Sequence, residues 1–281
     1  MRTDAWPRTA RLDVPAILDK IAEITGVRLI LEGLCPGGEV GAAYVRWPDG
    51  RRSVLTEGRS RTGPLVDRAR AAGVPTARQQ LAAHVDGVRV IVQERLPGSP
   101  PATLDAGLVR QMIAVTDRLA GLLTDRPDRK PADLYLTGDG PGFCLHEPLA
   151  GYNERTARLL DWIHQVGAEG SAMLGDDLVH LDFHPGNVLA DSGRITGVVD
   201  WDGATRGDRH FDLVTLRFHL GGQAPHLTGP VDERLATVSA RRLRAYWAHM
   251  SLRQVDWSIR HHDSATVEHW LRVAESGITP A

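Results

Sequence analysis

Residues 96–101, Leu-Pro-Gly-Ser-Pro-Pro, separate two stretches of chain with different hydrophobic periods. Three prolines and a glycine in six residues suit neither a helix interior nor a sheet ladder, so the segment reads as a linker. Before it, short β-branched runs such as 42–47, 52–58, 76–85 and 88–96 are broken by turn residues. After it, apolar residues recur three and four apart over about 104–123 and 153–168, and helical spacing continues to the end. This order predicts an α+β chain of two lobes: a small, mostly antiparallel N-terminal lobe over 1–95, a hinge at 96–101 and a larger helical lobe over 102–281.

Local signals fill in the first lobe. The spacing predicts a helix over 14–25, with Asp13 as its cap, Pro15 in its first turn and Gly26 at its end. Ile17, Leu18, Ile21 and Ile24 form its apolar stripe. A second, short helix follows Gly63-Pro64, and Asp86-Gly87 is a hairpin turn between the last two strands.

The second lobe carries the chemistry. Residues 179–203 read VHLDFHPGNVLADSGRITGVVDWDG, and Asp191-Ser192-Gly193 is the turn of a hairpin between two short apolar strands. The hairpin alone leaves the polar residues unexplained. Asp182 and Asn187 stand just before its first strand and Asp200 ends the second. Oxygen donors of this kind suit Mg²⁺, which takes one or two carboxylates together with phosphate oxygens. Asp182 is then left to orient a hydroxyl and accept its proton, the division of labour that phosphoryl transfer needs.

His180-x-Asp182 with Asn187 five residues on, followed by Asp200-Trp201-Asp202, resembles the core of the aminoglycoside phosphotransferase and choline kinase-like family. GDRHFDL at 207–213, ERLPGSP at the hinge and AAGVPTA before the fourth strand extend the resemblance. It implies a protein-kinase-like fold with Asp182 as catalytic base, His180 as support of the catalytic loop, and Asn187 and Asp200 as Mg²⁺ ligands. Asp202 reads as a salt-bridge or hydrogen-bond partner of the loop, and Asp208 and Asp212 as braces for the loop or caps of the next helix. By the same resemblance Gly37, Gly38 and Gly41 form a glycine-rich turn over the phosphates, and the hinge backbone at Gln93, Glu94, Arg95 and Leu96 binds the purine edge of ATP or GTP.

One expected residue is missing. The family's third strand carries a lysine, and Thr56 stands at that position, while the chain's two lysines, Lys20 and Lys130, lie elsewhere. Arg52, Arg59 or Arg61 is the candidate replacement, although a planar guanidinium is not equivalent to an ammonium.

The reading is therefore a Mg²⁺-dependent kinase that phosphorylates a hydroxyl of a small molecule. An antibiotic is the expected acceptor, either an aminoglycoside or a cyclic peptide of the viomycin or capreomycin type. The alternatives are a metabolite kinase for homoserine, choline or methylthioribose, and an inactive nucleotide-binding pseudokinase. Residues 221–281 hold six acids and seven arginines, so the sequence displays no acidic patch for a polycationic drug. A net charge of −2 gives no field that draws nucleic acid or anionic lipid. With no apolar run long enough for a membrane span and no signal-peptide core, a cytoplasmic location is expected.

Overall fold

The N-terminal strands pair as the turn residues dictate. In the computed structural model, which describes residues 12–36, 41–58, 62–140 and 144–278, five strands form one sheet. They are β1 (Ile30–Leu34), β2 (Ala43–Arg46), β3 (Arg52–Glu57), β4 (Gln79–Val85) and β5 (Val88–Glu94), in the order β1-β2-β3-β5-β4. Every neighbouring pair is antiparallel. Asp86 and Gly87 both take positive φ, 49° and 83°, which closes the β4–β5 hairpin with the twist that strands prefer.

Alternation along the strands gives the sheet two faces. Ala43, Val45, Leu55, Val90 and Val92 are buried on one, against Val14, Ile17, Leu18 and Ile21 of helix α1 (Val14–Thr25). The Asp13 carboxylate accepts the Ala16 amide and Gly26 ends the helix in left-handed backbone, both as the sequence predicts. Ile24 departs from the expected stripe and is 57 % exposed. It lies in the last turn, past the sheet that covers the other three. Helix α2 (Gly63–Ala71) lies between β3 and β4 in the chain.

The hairpin of β7 (Val188–Asp191) and β8 (Arg194–Val198) forms around Ser192 and Gly193, both left-handed. By contacts the chain divides into two compact units, Met1–Ser99 with Leu189–Asp202, and Pro100–Val188 with Gly203–Ala281. The hairpin joins the first unit through the Pro-rich segment. Ser99 and Ala190 exchange backbone hydrogen bonds of 3.2 and 2.9 Å, and the Thr196 hydroxyl donates to the Pro97 carbonyl at 2.6 Å. Residues 96–99 of the linker are thus a hydrogen-bonded part of the first unit, and Pro100 and Pro101 begin the second.

Gly98 makes this approach possible. Its φ is +87°, and a Cβ there would lie 2.5 Å from the Ala190 carbonyl oxygen. Gly98→Ala is expected to cost about 1–3 kcal/mol, combining left-handed strain with backbone overlap. Urea unfolding monitored by circular dichroism checks this, and an unchanged midpoint would show that the segment shifts freely.

The second unit is helical. It contains α3 (Ala106–Arg118), α4 (His146–Tyr152), α5 (Glu154–Ala168), α6 (His210–Gln223), α7 (Gly229–Leu235), α8 (Ala240–His261) and α9 (Ser264–Ser276). Helix α8 packs against α4, α5, α6 and α9, and Asn153 opens α5 with a reciprocal capping box. A two-stranded ladder of β6 (Asp177–Val179) and β9 (Thr205–Gly207) leads into the loop that holds Asp182. No helix among the described residues is long and apolar enough to cross a membrane.

Candidate active site

Strand β6 ends at Val179, and the next eight residues fold into a loop braced from α6 and α8. Asp212, in the first turn of α6, is fully buried; its carboxylate accepts the amides of His180 at 2.8 Å and Leu181 at 3.0 Å. Burial pushes its carboxyl up to about 7, against the two N–H groups that favour the anion. Leu181 is left-handed, with φ +70°, a costly conformation for a branched side chain. Its amide is held by Asp212 and its carbonyl accepts from Arg253 Nη1 at 2.6 Å, so the strain is fixed from both sides.

His180 is completely buried, and its Nδ1 accepts the Asp182 amide at 3.3 Å. Its ring shapes the loop from within. The Asp182 carboxylate is a quarter exposed and both oxygens face donors. Oδ1 lies 2.9 Å from Arg253 Nη2 and 3.6 Å from His184 Nε2, and Oδ2 accepts from Asn187 Nδ2 at 3.2 Å. Burial opposes the charged form, but the Arg253 guanidinium and then His184 outweigh it and hold the carboxyl far below its ordinary value.

Asn187 closes the short 3-10 turn Pro185–Asn187. Its amide nitrogen also donates to the Asp182 carbonyl at 2.9 Å, which fixes the nitrogen inward and turns Oδ1 the other way. His184 Nδ1 accepts the Gly186 amide at 3.0 Å, so its hydrogen sits on Nε2, toward Asp182. The His184 ring stacks on His219 at 4.5 Å, and His219 in turn meets the edge of Trp270.

Of the other acids in this unit, Asp208 accepts the His210 amide at 3.0 Å and the Tyr246 hydroxyl at 2.9 Å, tying the start of α6 to α8. Asp177 accepts the amides of Gly121 and Arg209.

Two buried histidines make this unit acid-sensitive. Burial lowers His219 to about 3 and His249 to about 4, against 6.5 when exposed. Both are therefore neutral in the folded state, and the unfolded chain binds their protons first. Their contribution to stability is complete above pH 6.5 and is lost as pH falls toward about 4, at roughly 1.4 kcal/mol per pH unit for each histidine. Urea midpoints between pH 7.5 and 4.5 should fall accordingly, and His249→Asn should flatten the slope by one proton. A pH-independent midpoint would contradict this.

In the first unit, Asp200 follows β8 with an exposed carboxylate and left-handed backbone, φ +62°. Trp201, buried beside it, donates its indole N–H to the Val198 carbonyl at 2.9 Å, and Asp202 is half-buried in the 3-10 turn Trp201–Gly203. Gly41 is left-handed at φ +94°, whereas Gly37 and Gly38 lie outside the described residues. Gln93 pairs with Val54, Glu94 pairs with Ser53, and the Leu96 side chain lies over Gly197. Thr56, paired with Ile91, is on the sheet face opposite the buried Leu55, the same face as Tyr44 and Val54. The Arg95 guanidinium lies 4.1 Å over the Tyr44 ring. Arg52 instead pairs with Glu32 at 3.2 Å and is mostly exposed, and Arg59 and Arg61 lie outside the described residues.

Sequence reasoning missed Arg253. It stands 72 positions from Leu181, in the middle of α8 and in no motif, and only the packing of α8 brings it to the loop. Asp212 was legible, because it belongs to the GDRHFDL segment.

Known proteins share this architecture. Hygromycin-B 4-O-kinase from Escherichia coli is 36% identical over 85 residues, which is 29% of this chain and a quarter of that enzyme. A thermostable mutant of aminoglycoside phosphotransferase APH(4)-Ia, solved with ADP and hygromycin B, superposes with a TM-score of 0.62 at 18% identity, covering 93% of this chain and 97% of the other. Amicoumacin kinase hAmiN, solved with AMP-PNP, Ca²⁺ and Ami, gives 0.60 at 17% identity over 95% and 94% of the two chains. The fold is thus the α+β, protein-kinase-like fold of the aminoglycoside kinases. Residues 48–260, from the turn between β2 and β3 through nearly all of α8, match the phosphotransferase enzyme family, and the chain belongs to that family.

Proposed function

We propose that the protein transfers the γ-phosphoryl group of ATP or GTP to a hydroxyl of a small-molecule antibiotic, with Mg²⁺. The observation that carries this reading is the locked pair of Asp182 and Asn187. Asp182 is held as a carboxylate, a quarter exposed, and Asn187 is fixed by its nitrogen so that its oxygen is available to a hard cation. Asp200 supplies the second oxygen ligand. Among the described residues no three His, Cys, Asp or Glu side chains converge on one point, but Mg²⁺ on nucleotide phosphates does not need such a cluster. When bound, Mg²⁺ neutralises charge on the phosphate oxygens.

The chain's own residues do the rest. Asp182 orients the acceptor hydroxyl and takes its proton as the oxygen forms a bond to the γ-phosphorus. The bond from that phosphorus to the β–γ bridging oxygen breaks, and the nucleoside diphosphate leaves with the bond's electrons. A base held so firmly in its charged form is weak, so the proton moves late, once bonding to phosphorus has made the hydroxyl acidic. Gly37, Gly38 and Gly41 cover the phosphates through backbone N–H groups, and the Gln93–Leu96 backbone meets the purine. His180 supports the loop from its buried position.

The relatives named above include kinases of hygromycin and amicoumacin, which supports an antibiotic acceptor. Thr56 at the lysine position favours one rival, a nucleotide-binding module without turnover. Incubation with Mg-ATP or Mg-GTP and a panel of hydroxylated antibiotics and metabolites, read by nucleotide consumption and product mass, separates the two. Nucleotide binding with no phosphorylated product across the panel would sink the enzyme reading.

A further inference from the structure

We propose that Arg253 fits the acceptor position to a hydroxyl flanked by carbonyl or carboxylate oxygen and turns it away from hydroxyls flanked by ammonium groups. The inference rests on Asp182 being the base that meets the acceptor. In an acceptor site built for a polycation, carboxylates face the ligand unpaired. Here the base shares its Oδ1 with a guanidinium at 2.9 Å, and its Oδ2 receives the Asn187 amide. An ammonium brought in beside the reacting hydroxyl meets a carboxylate already neutralised, next to a fixed cation that repels it.

The acids of the C-terminal helices do not compensate, because nearly all are committed elsewhere. Asp232 pairs with Arg217 at 2.5 Å. Asp256 is fully buried, holds Arg260 at 2.7 Å and accepts the Leu145 amide. Glu268 and Glu275 together clamp Arg155, each at 2.5 Å. Asp263 caps α9 through the Thr266 amide. Of the six acids between residues 221 and 281, only Glu233 is outside these roles.

Arg253 itself is well placed for recognition. Its bonds to Asp182 and to the Leu181 carbonyl fix the guanidinium plane, while a quarter of the side chain remains exposed. A guanidinium held in this way donates charge-assisted hydrogen bonds to a carbonyl or carboxylate oxygen without first being ordered. The hydroxyl of an α-hydroxy acid has such an oxygen two bonds from the carbon that bears it, and a seryl hydroxyl within a peptide has one three bonds away.

The test uses two small probes that differ in the flanking group, N-acetyl-L-serine and serinol, whose hydroxyls neighbour a carboxylate and an ammonium respectively. Dissociation constants are measured by NMR titration on the full chain loaded with Mg²⁺ and AMP-PNP. The wild type should bind N-acetyl-L-serine about ten- to a hundredfold more tightly. Arg253→Glu should move that ratio at least about tenfold toward serinol, and Arg253→Lys should keep its sign. Arg253→Gln, which removes the charge without reversing it, gives the same reading should the Glu variant not fold. An unchanged ratio in the variants, a wild-type preference for serinol, or no binding of either probe would overturn the assignment. Failure of the underlying reading shows separately, as undiminished phosphoryl transfer in Asp182→Asn.

Discussion

Asp182→Asn should lower turnover by roughly 10² to 10⁴-fold while nucleotide affinity stays nearly constant. The amide preserves the size and planarity of the side chain but cannot take a proton from the acceptor. It also presents an NH₂ group to a set of donors, since Arg253 and Asn187 both point hydrogens at this carboxylate. Some loosening of the loop is therefore expected, and Asp182→Glu is the useful companion. It restores a base on a longer arm and should recover little, because the anchoring contacts cannot all be kept. The fully buried Asp212 holds the loop from below through two backbone amides, so either change should leave the global fold intact. Steady-state kinetics together with equilibrium binding of ADP checks both parts. Near-full activity in Asp182→Asn would remove it from the role of base.

Asp200→Ala should raise the Mg²⁺ concentration for half-maximal rate by more than about tenfold, or abolish activity, since a divalent cation draws much of its affinity from anionic ligands. Asn187→Ala should act in the same direction and less strongly, because a neutral oxygen contributes less attraction. Asp202→Ala should leave the metal dependence mostly intact. The left-handed backbone at Asp200, φ +62°, adds a control. Asn tolerates that conformation better than Ala, so Asp200→Asn separates loss of charge from backbone strain. A Mg²⁺ titration of the four variants decides the matter. Should Asp202 behave as expected of Asp200, the ligand has been placed on the wrong residue.

The parts of this fold that were legible in sequence are those fixed by neighbours along the chain. The α1 helix showed its cap, its first-turn proline and its terminal glycine, and the Asp86-Gly87 and Ser192-Gly193 turns needed backbone that those residues adopt. Helix α4 was missed because it is a single short segment between a polar stretch and α5, with too few turns to display a period. The β6–β9 ladder was missed because its strands are three residues each and lie far apart in sequence. Ile24 misled because periodicity gives the direction of a side chain but not how far the covering sheet extends.

The site divides in the same way. Asp182 and Asn187 lie on one short loop whose spacing stands out, and Asp212 sits within a segment that the family resemblance singled out. Arg253 comes from the middle of α8, among residues whose pattern reads as an ordinary amphipathic helix, and its partnership with Asp182 exists only after that helix packs. The lysine question shows another limit. The chain is rich in arginine, so the sequence offers several candidates of equal standing. Strand alternation puts Arg52, paired with Glu32, on the face that carries Thr56 and Tyr44, and the Arg95 guanidinium lies over Tyr44 on that same face.

The central claim is that this chain moves a phosphoryl group from a nucleotide to an alcohol. It is tested most directly by measuring both products of one reaction, with acceptor taken from whichever compound the screen identifies. ³¹P NMR of the mixture should show a phosphate monoester on the acceptor and nucleoside diphosphate appearing in equal amounts, with both signals nearly lost in Asp182→Asn. Nucleoside diphosphate accompanied only by inorganic phosphate, or a monoester formed equally well without Asp182, would contradict the account.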